Sequence, residues 1–333
     1  MLVSPDQGSM ANASGSILLG DIGGTHARFA LWTRGELGVI ENILVADHPT
    51  FADAAESYLA RHGVGPLGGA VLAGAGPVKD RRCALTNSSW MIDGPQLEKT
   101  LRFPWVEVIN DFEALAWALP DLGPADLLAI GGGTALPGAP AIVVGPGTGL
   151  GVACLAGSAA GSLVIGSEGG HCTLPATSDR EEAIIRRLRS RMGHVSAERV
   201  LSGGGLINLY QTIADLEQVQ VPRRDPSQIS RAGIEGNCLI CFAALEAFCG
   251  FLGAFAGDMV LAFGARGGAH IAGGIVPHFA GFLASSKFRE RFEAKGRLTG
   301  YVAAVPSCVI THDDPAFVGL AVLARQLAAS SKA

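Results

Sequence analysis

The sequence predicts an α/β protein with mixed sheets, built as two related halves that face each other across a cleft. Three observations carry that reading. Apolar runs of strand length alternate with helix-patterned segments through the first half of the chain. A strand, tight glycine turn and strand occur twice, around Asp21-Ile22-Gly23-Gly24-Thr25 and around Gly145-Pro146-Gly147-Thr148-Gly149-Leu150-Gly151. At 333 residues the chain also exceeds the size at which one hydrophobic core keeps growing.

The elements follow in order. The first turn lies between Ile17-Leu18-Leu19-Gly20 and an apolar run from Ala27 to Trp32, so it reads as a hairpin. Further strands are expected at Val39 to Val45, Ala70 to Ala73 and Val106 to Ile109, with helices from about Phe51 to Arg61 and from Asp111 to Leu119. Pro120 to Pro140, rich in glycine and proline, reads as a linker. The second hairpin joins Ala141 to Val144 and Gly151 to Leu155, and a strand near Leu163 to Ile165 follows it. From Asp179 to Met192, Ala183, Ile184, Ile185 and Leu188 recur at amphipathic helix spacing between charged residues. A long apolar helix around Leu239 to Gly257, a strand at Ala269 to Ala272 and a helix near Ala316 to Leu327 complete the chain. The expected domains are 17–120 with 312–333 and, between them, 121–311, preceded by a polar leader at 1–16.

Composition excludes several classes. A hydrophobic content of 48% with 17% charge describes a folded chain rather than a disordered one. Net charge near -5 offers no basic footprint for nucleic acid or anionic membrane. The leader has no Lys or Arg and no apolar core, unlike a signal peptide. Leu239 to Gly257 is apolar enough to test for a membrane span, but it is rich in Gly and Ala, carries Glu246 near its middle and lacks an aromatic or basic belt. A buried helix of a globular domain, and no membrane partner, is the expectation. Seven scattered cysteines fit a reducing cytoplasm better than a disulfide framework. Cys238 and Cys241 form a C-x-x-C without a second ligand pair for zinc, and read as buried helix cysteines.

Chemistry is signalled by glycine and by carboxylates. No G-x-x-x-x-G-K-[ST] run occurs, and Gly147-Thr148-Gly149-Leu150-Gly151 leads into a strand where a dinucleotide fingerprint needs a helix. Both hairpin tips instead offer backbone N–H groups and a threonine hydroxyl to phosphate oxygens. Ser202-Gly203-Gly204-Gly205 and Ala272-Gly273-Gly274-Ile275 lie just before expected helices, where N–H groups and the helix dipole favour an anion or a nucleoside. Asn110-Asp111 sits at a strand-to-helix junction, suited both to capping the helix and to meeting a ligand at a strand's carboxyl end. There Asp111 can accept a hydroxyl proton while Asn110 fixes it. Glu168 and His171, in Gly166-Ser167-Glu168-Gly169-Gly170-His171, and Glu198 supply carboxylates and an imidazole of the kind that hold polyols.

These strings together resemble the bacterial glucokinases of the actin-like ATPase superfamily of sugar kinases. Gly-Asp-Ile-Gly-Gly-Thr, Ile-Asn-Asp-Phe, Gly-Thr-Gly-Leu-Gly-Val-Ala, Glu-Gly-Gly-His, Ser-Ala-Glu-Arg-Val-Leu-Ser-Gly and Ile-Ala-Gly-Gly-Ile-Val-Pro occur in the family's order, over about residues 17 to 328. The resemblance implies a two-lobed actin-like (ribonuclease H-like) ATPase fold with duplicated mixed-sheet domains and a central cleft. It implies Asp111 as the general base on the sugar 6-hydroxyl, with Asn110, Glu168, His171 and Glu198 on the other glucose hydroxyls. Gly23, Gly24 and Thr25 and Gly147, Thr148 and Gly149 would be the two ATP phosphate loops, with Asp21 near Mg2+ and its waters. Gly203, Gly204, Gly205, Gly273 and Gly274 would line the adenosine side, and a cytoplasmic homodimer is implied. His26 stands where many relatives carry Asn, and Pro146 where a small residue is commoner. The zinc motif and helix-turn-helix of the related repressor branch are absent, and kinases of other hexoses, a polyphosphate donor or an inactive sugar sensor remain as rival readings.

Overall fold

Ile17–Ile22 (β1) pairs antiparallel with His26–Thr33 (β2), and Gly23, Gly24 and Thr25 turn the chain between them. These elements belong to a computed structural model that describes residues 15–63, 66–158 and 161–330. All but the end of the expected leader, residues 1–16, lies outside the described residues. The chain divides into two compact units, one made of residues up to Ala114 with those from Ala316 onward, the other of Leu115–Pro315.

In the first unit the hairpin is followed by β3 (Glu36–Leu37), β4 (Glu41–Leu44), α1 (Phe51–His62), β5 (Gly69–Gly74), β6 (Val78–Lys79), β7 (Arg82–Ala84), β8 (Met91–Asp93), α2 (Gly94–Thr100) and β9 (Val106–Asn110). Then α3 (Asp111–Ala118) begins. The main sheet runs β3-β2-β1-β5-β9, with β4 also on β2, and β6-β7-β8 form a small separate sheet. Because β1, β5 and β9 are parallel, with Asp21 opposite Ala73 and Gly74 opposite Asn110, their carboxyl ends share one edge. Ligands collect at such an edge in α/β sheets. Helix α1 starts at a capping box between Thr50 and Asp53 and buries Phe51 and Tyr58 against Phe29, at ring separations of 5.8 and 5.5 Å.

The strand expected at Val39 to Val45 forms as the shorter β4, separated from β3 by Gly38, Val39 and Ile40, and Val45–Asp47 is a 3-10 turn. Val39 is 79% exposed, so the apolar pattern there reflects no burial.

The second unit contains β10 (Leu127–Gly131), β11 (Ala141–Pro146), β12 (Leu150–Ser158), β13 (Gly161–Ser167), α4 (Asp179–Met192), α5 (Gly203–Leu216), α6 (Pro226–Ile234), α7 (Leu239–Phe263), β14 (Gly268–Ile271), α8 (Ala280–Ser285), α9 (Phe288–Glu293), α10 (Thr299–Ala303) and β15 (Ser307–Ile310). Its sheet runs β10-β15-β14-β11-β12-β13. The β11–β12 hairpin is antiparallel, and β14 and β15 follow in parallel on its β11 side. Finally α11 (Pro315–Ser330) returns the chain to the first unit.

The stretch Pro120 to Pro140 is not a linker. It forms a 3-10 turn at Pro124–Asp126 and then β10, antiparallel to β15, and Gly132 offers its carbonyl to Arg289. Arg289 is a hub: Nη1 donates to Val305 O and Ser307 Oγ at 2.9 Å, Nη2 donates to Ala303 O at 2.9 Å, and Nε meets Glu293 at 2.5 Å. Replacing it with methionine leaves these acceptors without a donor, so Arg289→Met is expected to cost about 2–3 kcal/mol in urea unfolding. Loss of less than about 0.5 kcal/mol would contradict the hub role.

Helix α7 is long and apolar enough to cross a membrane by length and composition, with a mean hydropathy of 2.0 over its most apolar window. Its Leu245, Phe248, Phe251, Leu252 and Phe255 are buried in the core of the second unit with Phe279, Phe288 and Phe292. That burial explains an apolar sequence on every face.

Candidate active site

Asp111 begins α3 directly after β9, so the last pleat of the strand and the first turn of the helix together fix its position. Asn110 is spent on both ends: Nδ2 donates to Gly76 O at 3.0 Å, and Oδ1 accepts the Phe112 N–H at 2.8 Å. The same N–H reaches Asp111 Oδ1 at 3.0 Å. The pair therefore caps the start of α3, with both ends of the Asn110 amide engaged by backbone. Burial, and secondarily the charge of Asp21, push the Asp111 carboxyl up to about 6, against the lowering effect of its N–H contacts. A carboxylate poised there is matched to accepting a proton near neutral pH.

Asp21 lies opposite Arg28 across the first hairpin, and Arg28 Nε donates to Asp21 Oδ2 at 3.1 Å, with Nη2 on the same oxygen. The Arg28 guanidinium also stands 5.6 Å from the centre of the Phe317 ring in α11. Sequence reasoning missed Arg28, although the hairpin register alone pairs it with Asp21. Among the described residues no group of three or more His, Cys, Asp or Glu side chains suits a metal ion. Mg2+ does not require such a cluster, because it takes one or two carboxylates and completes its shell with waters and substrate phosphates. Asp21, at the carboxyl end of β1 beside the first hairpin tip, is a carboxylate compatible with such a role.

The hairpin tips carry one correction. The N–H of Gly23 donates to His26 O and that of Gly147 to Gly149 O, at 2.9 and 2.8 Å, so these two amides close their own turns instead of facing a phosphate. Thr25 and Thr148 remain at the tips as expected. His26 opens β2 and is exposed, whereas Pro146 closes β11 and is buried.

In the second unit the predicted residues assemble around the second tip. Gly203 N–H donates to Gly147 O at 2.9 Å, joining the tip to the start of α5. Gly203, Gly204 and Gly205 are the first turn of α5 rather than a loop before it, and Ser202 caps them, its Oγ accepting from Gly205 N–H at 3.0 Å. The Ser202 hydroxyl donates in turn to Glu198 O at 2.9 Å. Gly273 lies against the Pro146 carbonyl at φ 86°, a place and a conformation that only glycine suits. Gly273 and Gly274 lead into a 3-10 turn at Val276–Phe279 instead of the expected helix, which begins later as α8.

The three residues expected to hold a polyol are gathered around Leu150. Its N–H donates to Glu198 Oε2 at 3.0 Å, and Gly170 packs on its carbonyl so closely that no Cβ fits. Gly170 lies in the 3-10 turn Gly169–His171, which carries His171 and follows Glu168. His171 Nε2 and Glu168 Oε2 are 3.8 Å apart and both side chains are open to solvent. Glu168, His171 and Glu198 are thus brought together in one unit, while Asn110, Asp111 and Asp21 are brought together in the other. Nothing in the local sequence marked Leu150, because its role comes from a backbone amide.

The sequence model of the glucokinase family matches residues 18–327. The chain belongs to the glucokinase family. It is 46% identical over 313 residues to the glucokinase of Paramagnetospirillum magneticum, covering 92% of this chain and 97% of that one. It is accordingly an ATP-dependent glucose kinase. The crystal structure of a glucokinase from an Antarctic psychrotroph superposes with a TM-score of 0.85 at 38% identity, covering 93% of this chain and 98% of that one. A ROK family glucokinase from Streptomyces griseus, solved with glucose and AMPPNP, has a TM-score of 0.63 at 19% identity, covers 94% of this chain and shares the fold. The glucokinase fold here is thus an α/β fold with mixed sheets, of the class shared by ROK sugar kinases.

Proposed function

We propose that this glucokinase transfers the ATP γ-phosphate to the 6-hydroxyl of glucose with Asp111 as general base. The observation that carries the proposal is the Asp111 carboxyl, fixed by the β9–α3 junction and raised to about 6 by burial and by Asp21. Asp111 takes the hydroxyl proton as the oxygen attacks in line, giving glucose 6-phosphate and ADP. Asn110 holds Asp111 in register, and Glu168, His171 and Glu198 engage the remaining hydroxyls. The tips at Gly23, Gly24 and Thr25 and at Gly147, Thr148 and Gly149 take the phosphates through the threonines and the amides not spent in closing the turns. Gly203, Gly204, Gly205, Gly273 and Gly274 receive the adenosine, where the α5 N-terminus favours an electron-rich group. Mg2+, when bound, would neutralise phosphate charge, and Asp21 would be the residue that holds it, directly or through water.

This mechanism needs both units to serve one substrate pair, so we read them as duplicated mixed-sheet domains closing on a central cleft. The like order of hairpin and parallel strands in the two sheets supports the duplication. The functional boundaries on this reading are 17–120 with 312–333 and 121–311. A cytoplasmic homodimer completes the proposal.

A coupled assay with glucose, mannose and N-acetylglucosamine, each with ATP and with polyphosphate, tests it. Glucose with ATP and Mg2+ is expected to give the highest kcat/KM. Equal turnover with an N-acetylhexosamine, or turnover only with polyphosphate, would overturn the substrate assignment. In the same assay, ADP formation without glucose should be at least about 100-fold slower, since water must be kept from the phosphoryl group.

A further inference from the structure

We propose that Cys238 and Cys241 form a redox-active dithiol, oxidised to an intramolecular disulfide by a small anionic disulfide that docks in the basic cavity beside them. Cys238 is the N-cap of α7, and its Sγ accepts the N–H of Cys241 at 3.4 Å. Three residues apart at a helix start, the two cysteines lie on neighbouring positions of one helix face, joined by that N–H···S contact. The expectation of two buried helix cysteines therefore holds for Cys241 only, since Cys238 is half-buried and capping.

The second observation is a cavity of about 470 Å³ that ends on Asn237, the residue before Cys238, and is lined by Arg223, Arg224, Gln228, Arg231 and Glu235 among others. Three guanidinium groups face one carboxylate, and that carboxylate already accepts from Asn237 Nδ2 at 2.7 Å. Arg224 belongs to both features. It lines the cavity, and its charge favours ionisation of both thiols. A ligand carboxylate in the cavity would meet the guanidinium groups that line it.

The thiols are unequal in a useful way. Burial opposes ionisation of Cys238, but the Cys241 thiol, the N–H groups of the helix start and Arg224 together hold it below the usual thiol range. Burial first, and then the Cys238 sulfur, push Cys241 up to about 12. Cys238 is the attacking thiolate and Cys241 the resolving thiol. Cys238 sulfur attacks one sulfur of R–S–S–R, that bond breaks, and one R–S⁻ leaves and is protonated by solvent. Cys241 then gives its proton to solvent and its sulfur displaces the second R–S⁻ from Cys238. Two protein thiols have lost two electrons, and one disulfide has become two thiols.

The test uses the full chain at low ionic strength, with oxidised glutathione as the anionic probe and cystamine as the cationic one. Peptide mass mapping after alkylation is expected to find Cys238 joined to Cys241, formed about tenfold faster with oxidised glutathione. Arg231→Gln should erase most of that preference. Cys241→Ser should stop at one glutathione held on Cys238. The proposal fails if the exposed Cys172 takes the oxidant while Cys238 and Cys241 stay free, or if cystamine reacts with the unaltered chain at least as fast. The unaltered chain decides even if a variant folds poorly.

Discussion

Replacing Asp111 with alanine is expected to lower kcat for glucose phosphorylation by about 10²- to 10⁴-fold, with glucose binding still measurable by calorimetry. The alanine removes the carboxyl proposed to take the proton, while Asn110 keeps its bonds to Gly76 and Phe112. A variant with near-normal turnover would remove Asp111 from the mechanism. The same carboxyl sets the pH dependence. With its ionisation centred at about 6, kcat/KM should fall on the acid side of that value as the base becomes protonated. Its effect on stability has the opposite sense to that of a salt-bridged aspartate. The folded value lies above the ordinary aspartate value of about 3.9, so the native state binds more protons between the two and loses stability as pH rises through that window. Asp111→Asn should accordingly be more stable than the parent at about pH 7.5, by up to about 2 kcal/mol, with the gain shrinking towards pH 4. A less stable asparagine variant at neutral pH would contradict the cost assigned to this charge.

Gly170→Ala is expected to raise KM for glucose by about 10- to 100-fold, with a smaller change in KM for ATP. A Cβ at 170 collides with the Leu150 carbonyl, a backbone atom that cannot yield alone. Either the turn carrying His171 lifts away, or Leu150 moves and takes its N–H from Glu198. Both outcomes spread Glu168, His171 and Glu198, the residues proposed to hold the sugar, apart. Gly281→Ala in α8 is the matched control, because a Cβ there meets nothing within 4 Å. Steady-state titration of glucose at saturating ATP separates the two, and an unchanged KM in Gly170→Ala would show that the turn does not bear on the sugar.

Much of this was legible because local chemistry and global fold agree. The hairpin at Gly23 to Thr25, the capped helix α1, the amphipathic α4 and the Asn110-Asp111 junction carry strong local signals and form where expected. Strand β10 was hidden, since its glycine-rich end reads as a linker and its partner β15 lies far along the chain. Pairing across such a distance leaves no periodic mark. The break between β3 and β4 was masked by the apolar Val39, which stays exposed. Within the site, side chains with a chemical reputation were found, and groups acting through the backbone, such as Leu150 and the spent amides of Gly23 and Gly147, were not. Arg28 was within reach of sequence reasoning, because a three-residue turn fixes which residues oppose each other.

The return of α11 to the first unit governs the order in which the protein becomes active on the ribosome. The second unit is one continuous stretch, Leu115–Pro315, and can fold as soon as it has emerged. The first unit begins synthesis earlier yet waits for the last helix, whose Phe317 backs Arg28 and through it Asp21. Nascent chains stalled before α11 would carry a finished second unit and an unfinished first one, so the role proposed for Asp21 would mature only once α11 has emerged.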